Sequence, residues 1–417
     1  MKKLLILGAT HGEVNVSKFA KQLGYYVIVT DNHEDWIESP AKYIADEAWN
    51  ISWSDIPELS VKCRENGVSG VLAGFSEFRV ENMIKLSKEL GFPCYINMDQ
   101  LEITRDKDKF KKLCRKHQVP TVKEYQPDST NITFPVIIKP TDRAGSIGIN
   151  VAYNRDEYDK FLDLAYSLSP SKSVIVEDFI GDGVKFDCTY VIYKRQAFLV
   201  ETCDTIMLSK EKGAETLQKA WSFPSKHEKE YIEKVDNNVK EMLNSLGMEY
   251  GVANISFFYR NHEFYVFETG FRLGGGHSYD YQRATGGIDY LEMLIKYSLN
   301  EQLSLSSSIA KDRGYGVTYN IYMKGEEGEI IQKINDEESV NKIESIVTNI
   351  KYLYKGKRIE STKPIKVAMM TICEKSLESL IRSIALINET FSIETDKKVH
   401  SIYGKLEKFE LYNSFNE

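Results

Sequence analysis

The first hundred residues alternate short apolar runs with stretches of helical periodicity. Residues 3–7 and 26–29 are apolar runs of strand length, and residues 14–23 between them repeat apolar positions at helical spacing. A strand, a glycine-containing turn, a helix and a second strand predict a parallel βαβ unit. A third apolar run at residues 70–73 precedes an amphipathic helix over residues 77–90. This pattern predicts a doubly wound parallel-sheet domain.

A helix follows the first domain, and from Pro135 the pattern changes to short strands that alternate with two helices. We expect Thr104 to cap a helix that runs to about Gln118, because Val119 and Pro120 end the pattern there. Beyond it we predict helices over residues 155–168 and 226–246 and strands over residues 136–139, 174–177, 186–193, 197–202, 251–259 and 263–268. Runs of mostly antiparallel strands with few helices between them are typical of an α+β domain.

Three domains follow from this order of elements. We predict a Rossmann-like N-terminal α/β domain over residues 1–100, a central α+β domain over residues 101–302 and a small C-terminal α+β domain over residues 303–417. The serine-rich segment at residues 304–308 is the linker that the composition indicates. The length of 417 residues fits two or three domains at the usual size of about 150 residues each.

Composition and charge narrow the functional class. A formal charge of -7 argues against a nucleic acid or an anionic membrane as partner. No apolar run reaches the roughly 20 residues of a membrane span, so we expect a cytoplasmic protein. The six cysteines form no CxxC pair, so neither a zinc site nor a disulfide framework is indicated.

The turn at residues 8–12, Gly-Ala-Thr-His-Gly, suggests dinucleotide binding, with Asp31 after the second strand as the ribose acid. The fingerprint GxGxxG needs its second glycine where Thr10 stands, so close approach of the backbone to a pyrophosphate is not provided for. A tight strand-to-helix turn is the simpler interpretation. An NAD-dependent oxidoreductase is therefore a remote alternative.

A lysine at the end of a predicted strand is a candidate phosphate ligand. Lys139 ends an apolar strand, where a buried ammonium is costly unless an anion meets it. The loop that follows contains Gly145, Ser146 and Gly148, and its N–H groups can wrap phosphate oxygens. With Lys107 at the start of the preceding helix, these residues predict a triphosphate clamp. A surface hairpin with a solvated lysine is the alternative.

The strand at residues 174–177 leads into a candidate adenine site. Glu177 and Asp178 are followed by Phe179, Ile180 and a glycine turn. Such a hinge can present a carboxylate and backbone groups to the edge of adenine, while apolar side chains cover the ring.

A later strand end supplies candidates for the metal and for the transferred phosphoryl group. Glu268 ends a strand, and Arg272 follows it just before a glycine-rich loop. A carboxylate here suits Mg²⁺, which prefers one or two protein oxygens plus phosphate oxygens. An arginine close by suits a phosphoryl group in transfer.

The order of these motifs resembles the ATP-grasp superfamily over nearly the whole chain. The closest branch contains carbamoyl-phosphate synthase, biotin carboxylase and the phosphoribosylamine-glycine and phosphoribosylaminoimidazole ligases. The motifs that carry the resemblance are Pro40-Ala41 with Ala45-Asp46, Asp106-Lys107, Lys139, Glu177-Asp178-Phe179-Ile180, and Glu268 with Arg272-Leu273-Gly274-Gly275-Gly276. The resemblance implies that the central domain is an ATP-grasp domain that binds ATP and Mg²⁺.

The resemblance also implies a role for each site residue. Lys107 and Lys139 would contact the ATP phosphates, and the loop with Gly145, Ser146 and Gly148 would close over the γ-phosphate. Glu177 would accept a hydrogen bond from the adenine amino group, with the backbone of Asp178, Phe179 and Ile180 along the ring. Glu268 would hold Mg²⁺, and Arg272 would stabilise the acyl phosphate or its transition state, so that Arg272 and Lys139 are the expected catalytic residues.

Three positions depart from the family pattern. Gly270 stands where the family has a metal-binding Asn, and Ser256 stands at the other metal position, where the family has Gln, Glu or Asp. Asp182 is the only acid near the expected ribose-binding position, and it is slightly out of register. These departures put catalysis with two metal ions in doubt.

We therefore expect an ATP-dependent carbon–nitrogen ligase. It would phosphorylate a small-molecule carboxylate and let an amine displace phosphate from the acyl phosphate, and we allow for a homodimer. An ATP-binding protein of the same fold without turnover is the alternative that Ser256 and Gly270 motivate. The identities of the carboxylate and of the nitrogen nucleophile stay open.

Other positions have two interpretations each. Ser76 and Glu77 follow a predicted strand and either face an acceptor or form a helix N-cap pair. His277 in the glycine-rich loop either touches substrate or is solvated. The long segment at residues 204–224 is either a specificity lid or disordered.

Overall fold

A parallel sheet forms the N-terminal part of the chain, whose computed structural model describes residues 1–143, 147–181, 183–208, 217–303, 313–335 and 340–416. Its strands are β1 (Lys3–Leu7), β2 (Tyr26–Thr30), β3 (Glu47–Trp49) and β4 (Gly70–Leu72), in the order β3-β2-β1-β4. All pairings in it are parallel, which confirms the predicted sheet. The helices of this part are α1 (His11–Gln22), α2 (Ile56–Asn66) and α3 (Glu77–Leu90), with a 3₁₀ helix at Pro40–Tyr43.

Two short helices lead from this sheet into the central part. They are α4 (Met98–Arg105) and α5 (Lys107–Lys116). The prediction that Thr104 caps a helix is wrong, because Thr104 lies inside α4. Asp106 separates the two helices and caps α5, since its Oδ1 accepts hydrogen bonds from the backbone N–H groups of Asp108 at 2.9 Å and Lys109 at 3.0 Å. The cap starts α5 at Lys107.

A small antiparallel sheet carries the predicted phosphate-binding lysine. Its strands are β5 (Glu124–Tyr125), β6 (Val136–Pro140), β7 (Asn150–Ala152) and β8 (Val174–Asp178), in the order β5-β8-β6-β7. Helix α6 (Arg155–Leu168) packs against it. The buried side chains between helix and sheet form a separate small core.

A large antiparallel sheet runs through the central and C-terminal parts. Its central strands are β9 (Val184–Tyr193), β10 (Gln196–Met207), β11 (Gln218–Phe223), β12 (Tyr250–Arg260) and β13 (Glu263–Gly270). Helices α7 (Glu228–Lys234), α8 (Asp236–Asn244), α9 (Tyr279–Ala284) and α10 (Tyr290–Ser298) accompany them. The single helix predicted at residues 226–246 is thus two helices that break at Val235. The suggestion of one long loop over residues 204–224 is also wrong at both ends, where β10 and β11 lie.

The C-terminal part continues the large sheet. Strands β14 (Tyr315–Met323), β16 (Ile346–Lys351) and β17 (Ile365–Glu374) complete the order β13-β12-β9-β10-β11-β14-β17-β16. The remaining elements are β15 (Ile331–Ile334), β18 (Ser392–Thr395) and β19 (Val399–Ser401), which form a three-stranded sheet, a 3₁₀ helix at Val340–Lys342, and α11 (Leu377–Thr390) and α12 (Lys408–Phe415). The predicted linker at residues 304–308 lies outside the described residues.

One apolar core joins the N-terminal sheet to the central part. It contains Leu5 and Val71 from the parallel sheet together with Val252 from β12 and Leu294 from α10. At Gly70 a Cβ atom would lie 2.2 Å from the carbonyl oxygen of Ser298, so β4 approaches α10 more closely than a side chain allows. The parallel sheet therefore packs directly on α10 of the central part. Among the described helices, none has the length and apolar character to cross a membrane.

Candidate active site

Two buried lysines meet one buried glutamate where α5, β6 and β8 come together. The Nζ of Lys139 lies 2.8 Å from Oε2 of Glu177, and the Lys111 ammonium contacts the other carboxylate oxygen. All three side chains are buried. The Glu177 carboxylate, expected to accept the adenine amino group, is therefore engaged by two ammonium groups. Lys111 was missed by sequence reasoning, although it lies one helical turn after Lys107 on α5.

A third lysine lies close to this cluster. Lys107 begins α5, and its Nζ donates to the carbonyl oxygens of Arg143 at 2.9 Å and Thr141 at 3.4 Å. Burial lowers the pKa of Lys107, and the carboxylates of Glu268 and Glu77 partly oppose that shift. Lys107 thus lies within the electrostatic field of the predicted metal ligand.

Of the three lysines, Lys139 has the most strongly lowered pKa. Burial first, and then the positive charges of Lys111 and Lys107, lower the pKa of Lys139 to about 7. Glu268 raises it by a smaller amount. Glu177 is buried between two buried ammonium groups, while Glu124 approaches Lys111 at 3.3 Å from a partly exposed position. The charge of the three buried side chains is therefore positive in excess, which is the electrostatic property that a phosphate site requires.

The loop after β6 is described only in part. Gly145 and Ser146 lie outside the described residues. Gly148 has a φ of 77°, and a Cβ there would lie 2.8 Å from the Pro140 ring, so the loop packs back onto the end of β6. The predicted closure over a γ-phosphate stays a prediction.

The hinge after β8 places the apolar residues Phe179 and Ile180 directly after Asp178. The hydroxyl of Tyr125 donates to Oδ1 of Asp178 at 2.6 Å, which holds that carboxylate against β5. The Phe179 ring lies over Gly181, where a Cβ would come within 2.4 Å of it, and Ile180 is buried. Asp182 lies outside the described residues.

Two stacked phenylalanines lie opposite this hinge. The rings of Phe258 on β12 and Phe267 on β13 stack with centroids 4.3 Å apart, and the Lys185 ammonium lies 6.0 Å from the Phe267 ring. A Cβ at Gly183 would contact both Ile180 and Phe258, so hinge and stack are neighbours. Sequence reasoning missed this pair, because each residue alone fits an ordinary amphipathic strand.

The predicted metal positions Glu268 and Ser256 lie side by side on neighbouring strands, with Asp187 on the next strand. Glu268 on β13 pairs with Ser256 on β12, and Ser256 pairs with Asp187 on β9, so the three side chains share one face. The Ser256 hydroxyl donates to Oδ1 of Asp187, and the Thr205 hydroxyl donates to Oδ2 at 3.2 Å. Asp187 therefore has hydrogen-bond donors of its own, and Glu268 is the exposed carboxylate of the row.

This donor set suits Mg²⁺ held mainly by phosphate oxygens and water. Within the described ranges, no group of three or more His, Cys, Asp or Glu side chains is arranged to bind a metal ion without other help. Mg²⁺ keeps several waters and commonly takes one or two protein carboxylates plus substrate phosphates. Glu268 beside the lysine cluster fits that arrangement.

Arg272 presents a donor without a partner. Its Nε is buried and makes no hydrogen bond to the described residues, while its Nη1 donates to the carbonyl of Leu273 at 3.4 Å. The carbonyl of Arg272 accepts from the side chain of Asn254. Gly270 leaves room beside the guanidinium, since a Cβ there would lie 3.8 Å from Arg272 Cζ. A buried N–H without a partner indicates a place for an acceptor atom from a ligand.

The loop after β4 docks on the glycine-rich loop that follows Arg272. The backbone N–H of Phe75 donates to the carbonyl of Leu273 at 3.2 Å, and the Phe75 ring stacks on His277 at 4.6 Å. Phe75 has a φ of 62°, an unusual conformation for a bulky residue and one that clusters at functional sites. His277 is buried, so the expectation that it is solvated is wrong.

Glu77 lies among the charges of this site. Burial raises the pKa of Glu77, and Arg272 is the strongest of the positive charges that oppose the shift. Glu268 and Lys107 also act on it. Ser76 is the N-cap residue of α3 but makes no side-chain cap hydrogen bond. The pair thus starts a helix, and the interpretation that it faces an acceptor stays a prediction.

Protein side chains occupy the space beside the glycine turn after β1. A Cβ at Gly8 would lie 2.7 Å from Arg79 Cζ, and a Cβ at Gly12 would lie 2.9 Å from the Phe75 ring. Arg79 is fixed there by Glu13, with Nη1 2.6 Å from Oε1. Asp31 is buried and accepts hydrogen bonds from the backbone N–H of His33 and the hydroxyl of Ser39. This is a structural turn, and it gives the dinucleotide alternative no support.

Comparisons with known proteins show which families and folds the chain is similar to. The family described as D-ala D-ala ligase C-terminus matches residues 104–271. The formate-dependent phosphoribosylglycinamide formyltransferase of Prochlorococcus marinus (strain CCMP1986) is 28% identical over 273 residues, which cover 63% of this chain and 67% of that protein.

Solved structures share the fold over almost the whole chain. Phosphoribosylglycinamide synthetase from Anaerococcus prevotii has a TM-score of 0.74 at 21% identity and covers 94% of this chain and 99% of its own. The biotin carboxylase domain dimer of the Hydrogenobacter thermophilus 2-oxoglutarate carboxylase, in complex with MgADP and bicarbonate, has a TM-score of 0.76 at 17% identity. It covers 100% of this chain and 99% of its own.

Fold and relatives together define an enzyme class, the ATP-dependent carbon–nitrogen ligases, as expected from the sequence. Residues 104–271 carry the match to a ligase family, and the relatives are ATP-grasp ligases, which use ATP with Mg²⁺ and act on small-molecule substrates. The family match also covers α5, β8 and β13, the elements that carry Lys107, Glu177 and Glu268.

Proposed function

We propose that ATP lies between the small sheet and strands β12 and β13, with its phosphates at Lys107 and Lys139. The observation that carries this proposal is the cluster of Lys139, Lys111 and Glu177, whose buried charge is positive in excess. Lys111 and Glu177 hold Lys139 in position, and the triphosphate supplies the missing negative charge. Such clamps of lysine and metal neutralise a phosphoryl group in transfer.

The adenine ring would lie between the hinge and the phenylalanine stack. The Phe179 and Ile180 backbone would form hydrogen bonds to the ring edge, and Phe258 with Phe267 would cover one face. Because the Glu177 carboxylate is bound by two ammonium groups, selection of adenine falls to backbone groups of the hinge. Glu268 would hold Mg²⁺, which supplies positive charge against the β- and γ-phosphates.

The reaction begins at Arg272. An oxygen of the substrate carboxylate attacks the γ-phosphorus, the bond to the β–γ bridging oxygen breaks, and ADP leaves. Arg272 would bind the substrate carboxylate through its unpartnered Nε and oppose the charge on the acyl phosphate. The amine then attacks the acyl carbon, inorganic phosphate leaves, and the amine gives up a proton.

Glu77 would accept that proton. Its carboxylate lies within the field of Arg272 and Glu268, at the start of α3, directly after the loop that packs against the glycine-rich segment. Burial raises its pKa toward the working range of a general base. The N-terminal domain would thus contribute the group that serves the nitrogen nucleophile, and the central domain would contribute the groups that serve ATP.

Hydroxylamine trapping tests this function. The protein is incubated with MgATP, hydroxylamine and single carboxylates from a panel of amino acids and small carboxylic acids, and hydroxamate and ADP are measured together. We expect equal amounts of both with the true substrate and neither in Arg272→Met. In Glu77→Gln we expect hydroxamate to persist while amide from a true amine falls, because neutral hydroxylamine needs less help from a base. Binding of ATP with no ADP release across the panel would favour the protein without turnover.

A further inference from the structure

A partly buried lysine without an acidic partner lies on the C-terminal side of the active site. Lys366 is on β17, at an irregularity of the pairing with β14 where Tyr322 pairs with Lys366 and Ile321 with Ala368. Irregularities of this kind redirect side chains and occur often beside active sites. The Lys366 ammonium lies 4.5 Å from the centre of the Tyr352 ring and 3.7 Å from the sulfur of Met369. It makes no ion pair with a carboxylate of the described residues.

The surroundings of Lys366 come from all three parts of the molecule. The Tyr352 ring lies 5.3 Å from the ring of His11, the first residue of α1. Lys366 also acts electrostatically on His277, in the glycine-rich segment that follows Arg272. His277 in turn stacks on Phe75 of the N-terminal domain. Lys366 therefore lies where the loop after β1, the loop after Arg272 and the C-terminal strands meet.

The groups around Lys366 carry no negative charge to balance it. Burial, and then Lys366 itself, lower the pKa of His277 to about 3, so this imidazole is neutral. Burial lowers the pKa of His11 as well, and Glu38 opposes that shift weakly. Glu38 is already bonded to Tyr354 at 2.7 Å and to Lys357 at 3.0 Å. Burial alone lowers the pKa of Lys366, to about 8.

We propose that Lys366 binds an anionic group of the substrate, a carboxylate or a phosphate separate from the carboxylate that is activated, with His11 and Tyr352 as walls. A largely desolvated ammonium without a counter-charge is unfavourable even when it is only partly buried, so an ion that neutralises it should come from a ligand. The inference rests on the proposed function for the location of the reacting carboxylate at Arg272. Lys366 then selects substrates that carry a second negative charge.

Thermal unfolding with small anions tests the site. The wild-type protein is loaded with MgAMPPNP, which fills the phosphate clamp, and titrated with inorganic phosphate or with succinate against chloride of equal ionic strength. A ligand that binds only the folded state raises Tm. We expect one of the two probes to raise Tm, and the effective probe tells whether the group is a phosphate or a carboxylate.

Three variants test whether the rise of Tm with the anion depends on Lys366. We expect Lys366→Met to weaken binding of the effective probe at least about tenfold, as for loss of a charge-assisted hydrogen bond. Lys366→Arg should retain binding, and so should Lys375→Met, which removes an exposed lysine just beyond the same strand. The proposal is overturned if neither probe exceeds chloride, or if Lys366→Met responds as the wild type does.

The nucleotide provides a separate readout for the proposed function. AMPPNP affinity should be the same in the wild type and in Lys366→Met. Failure of AMPPNP to bind the wild type would contradict the proposed function, whereas the succinate titration without nucleotide would still report on Lys366. The two failures are therefore distinguishable.

Discussion

Lys139 and Glu177 form a buried ion pair, with Nζ 2.8 Å from Oε2, between two adjacent strands of the small sheet. Lys111 contacts the same carboxylate from α5. One negative charge thus serves two positive charges in the interior. A buried carboxylate in this position stabilises the fold and also keeps the lysines in place for a ligand.

Glu177→Gln is expected to destabilise the protein strongly. Removal of one partner of a buried pair leaves an uncompensated charge and costs about 3–5 kcal/mol. Urea denaturation of the nucleotide-free protein measures this change. Glu124→Gln is the control, because Glu124 also lies near Lys111, at 3.3 Å, but is partly exposed. Equal stability of Glu177→Gln and the control would contradict the central role of the Glu177 carboxylate.

The elements around this pair differ in how far the sequence predicts them. Apolar periodicity predicts β6 and β8, and burial at a strand end singles out Lys139 as a residue that needs an anion. The identity of the nearest anion depends on pairing across β6 and β8, where Ile137 faces Glu177 and Lys139 faces Ile175. Periodicity within one segment carries no information on such register. The sequence also does not reveal the role of Lys111, because a lysine-rich helix suggests a solvated face.

The packing of Phe75 on His277 is another contact that the sequence does not predict. The residues lie about two hundred positions apart in the chain, and the positive φ of Phe75 is stabilised by contacts that form only in the folded protein. Local sequence suggests a helix start at Ser76 and Glu77. Only the packed structure adds that the Glu77 carboxylate lies near Arg272.

Nucleotide binding is expected to take up a proton through Lys139. The pKa of Lys139 in the free protein is lowered to about 7, first by burial and then by Lys111 and Lys107. The negative triphosphate raises that pKa again, so near pH 8 the complex binds up to about one proton more than the free protein, and below about pH 6 it binds none extra. Calorimetry at pH 8 in two buffers of different ionisation enthalpy measures the uptake.

Two variants test whether Lys139 is the group that takes up that proton. Lys139→Met should abolish the uptake and weaken ATP binding roughly ten- to a hundred-fold, because one charge-assisted hydrogen bond is lost. Lys112→Met, on the exposed side of α5, should retain both the uptake and the affinity. Uptake that persists in Lys139→Met would assign the proton to another group.

Ser256→Asp is expected to make the thermal stability depend more strongly on Mg²⁺ than it does in the wild type. The Ser256 hydroxyl now donates to Asp187, and a carboxylate in its place would face Asp187 on one side and Glu268 on the other. Like charges on neighbouring strands destabilise a sheet. We expect a lower Tm in EDTA than for Ser256→Ala, and a larger rise of Tm with Mg²⁺ than in the wild type. A Tm of Ser256→Asp that does not respond to Mg²⁺ would remove this row of side chains from the metal site.

Lys366→Met is expected to stabilise the ligand-free protein, because it removes a buried charge that the described residues do not neutralise. In the unfolded chain a lysine titrates near its ordinary pKa of about 10.4, whereas burial lowers the pKa of Lys366 to about 8 in the folded protein. Below about pH 8 both states are protonated and the folded state carries the full penalty, so the variant should be more stable by roughly 1–3 kcal/mol at pH 7. Between about pH 8 and 10.4 the unfolded state binds more protons, so the wild type gains stability with rising pH and the difference shrinks. Urea denaturation of both proteins at pH 7 and pH 10 measures it, with Lys375→Met as the control that should differ little from the wild type at either pH. A variant less stable than the wild type at pH 7 would show that the Lys366 ammonium is satisfied within the protein.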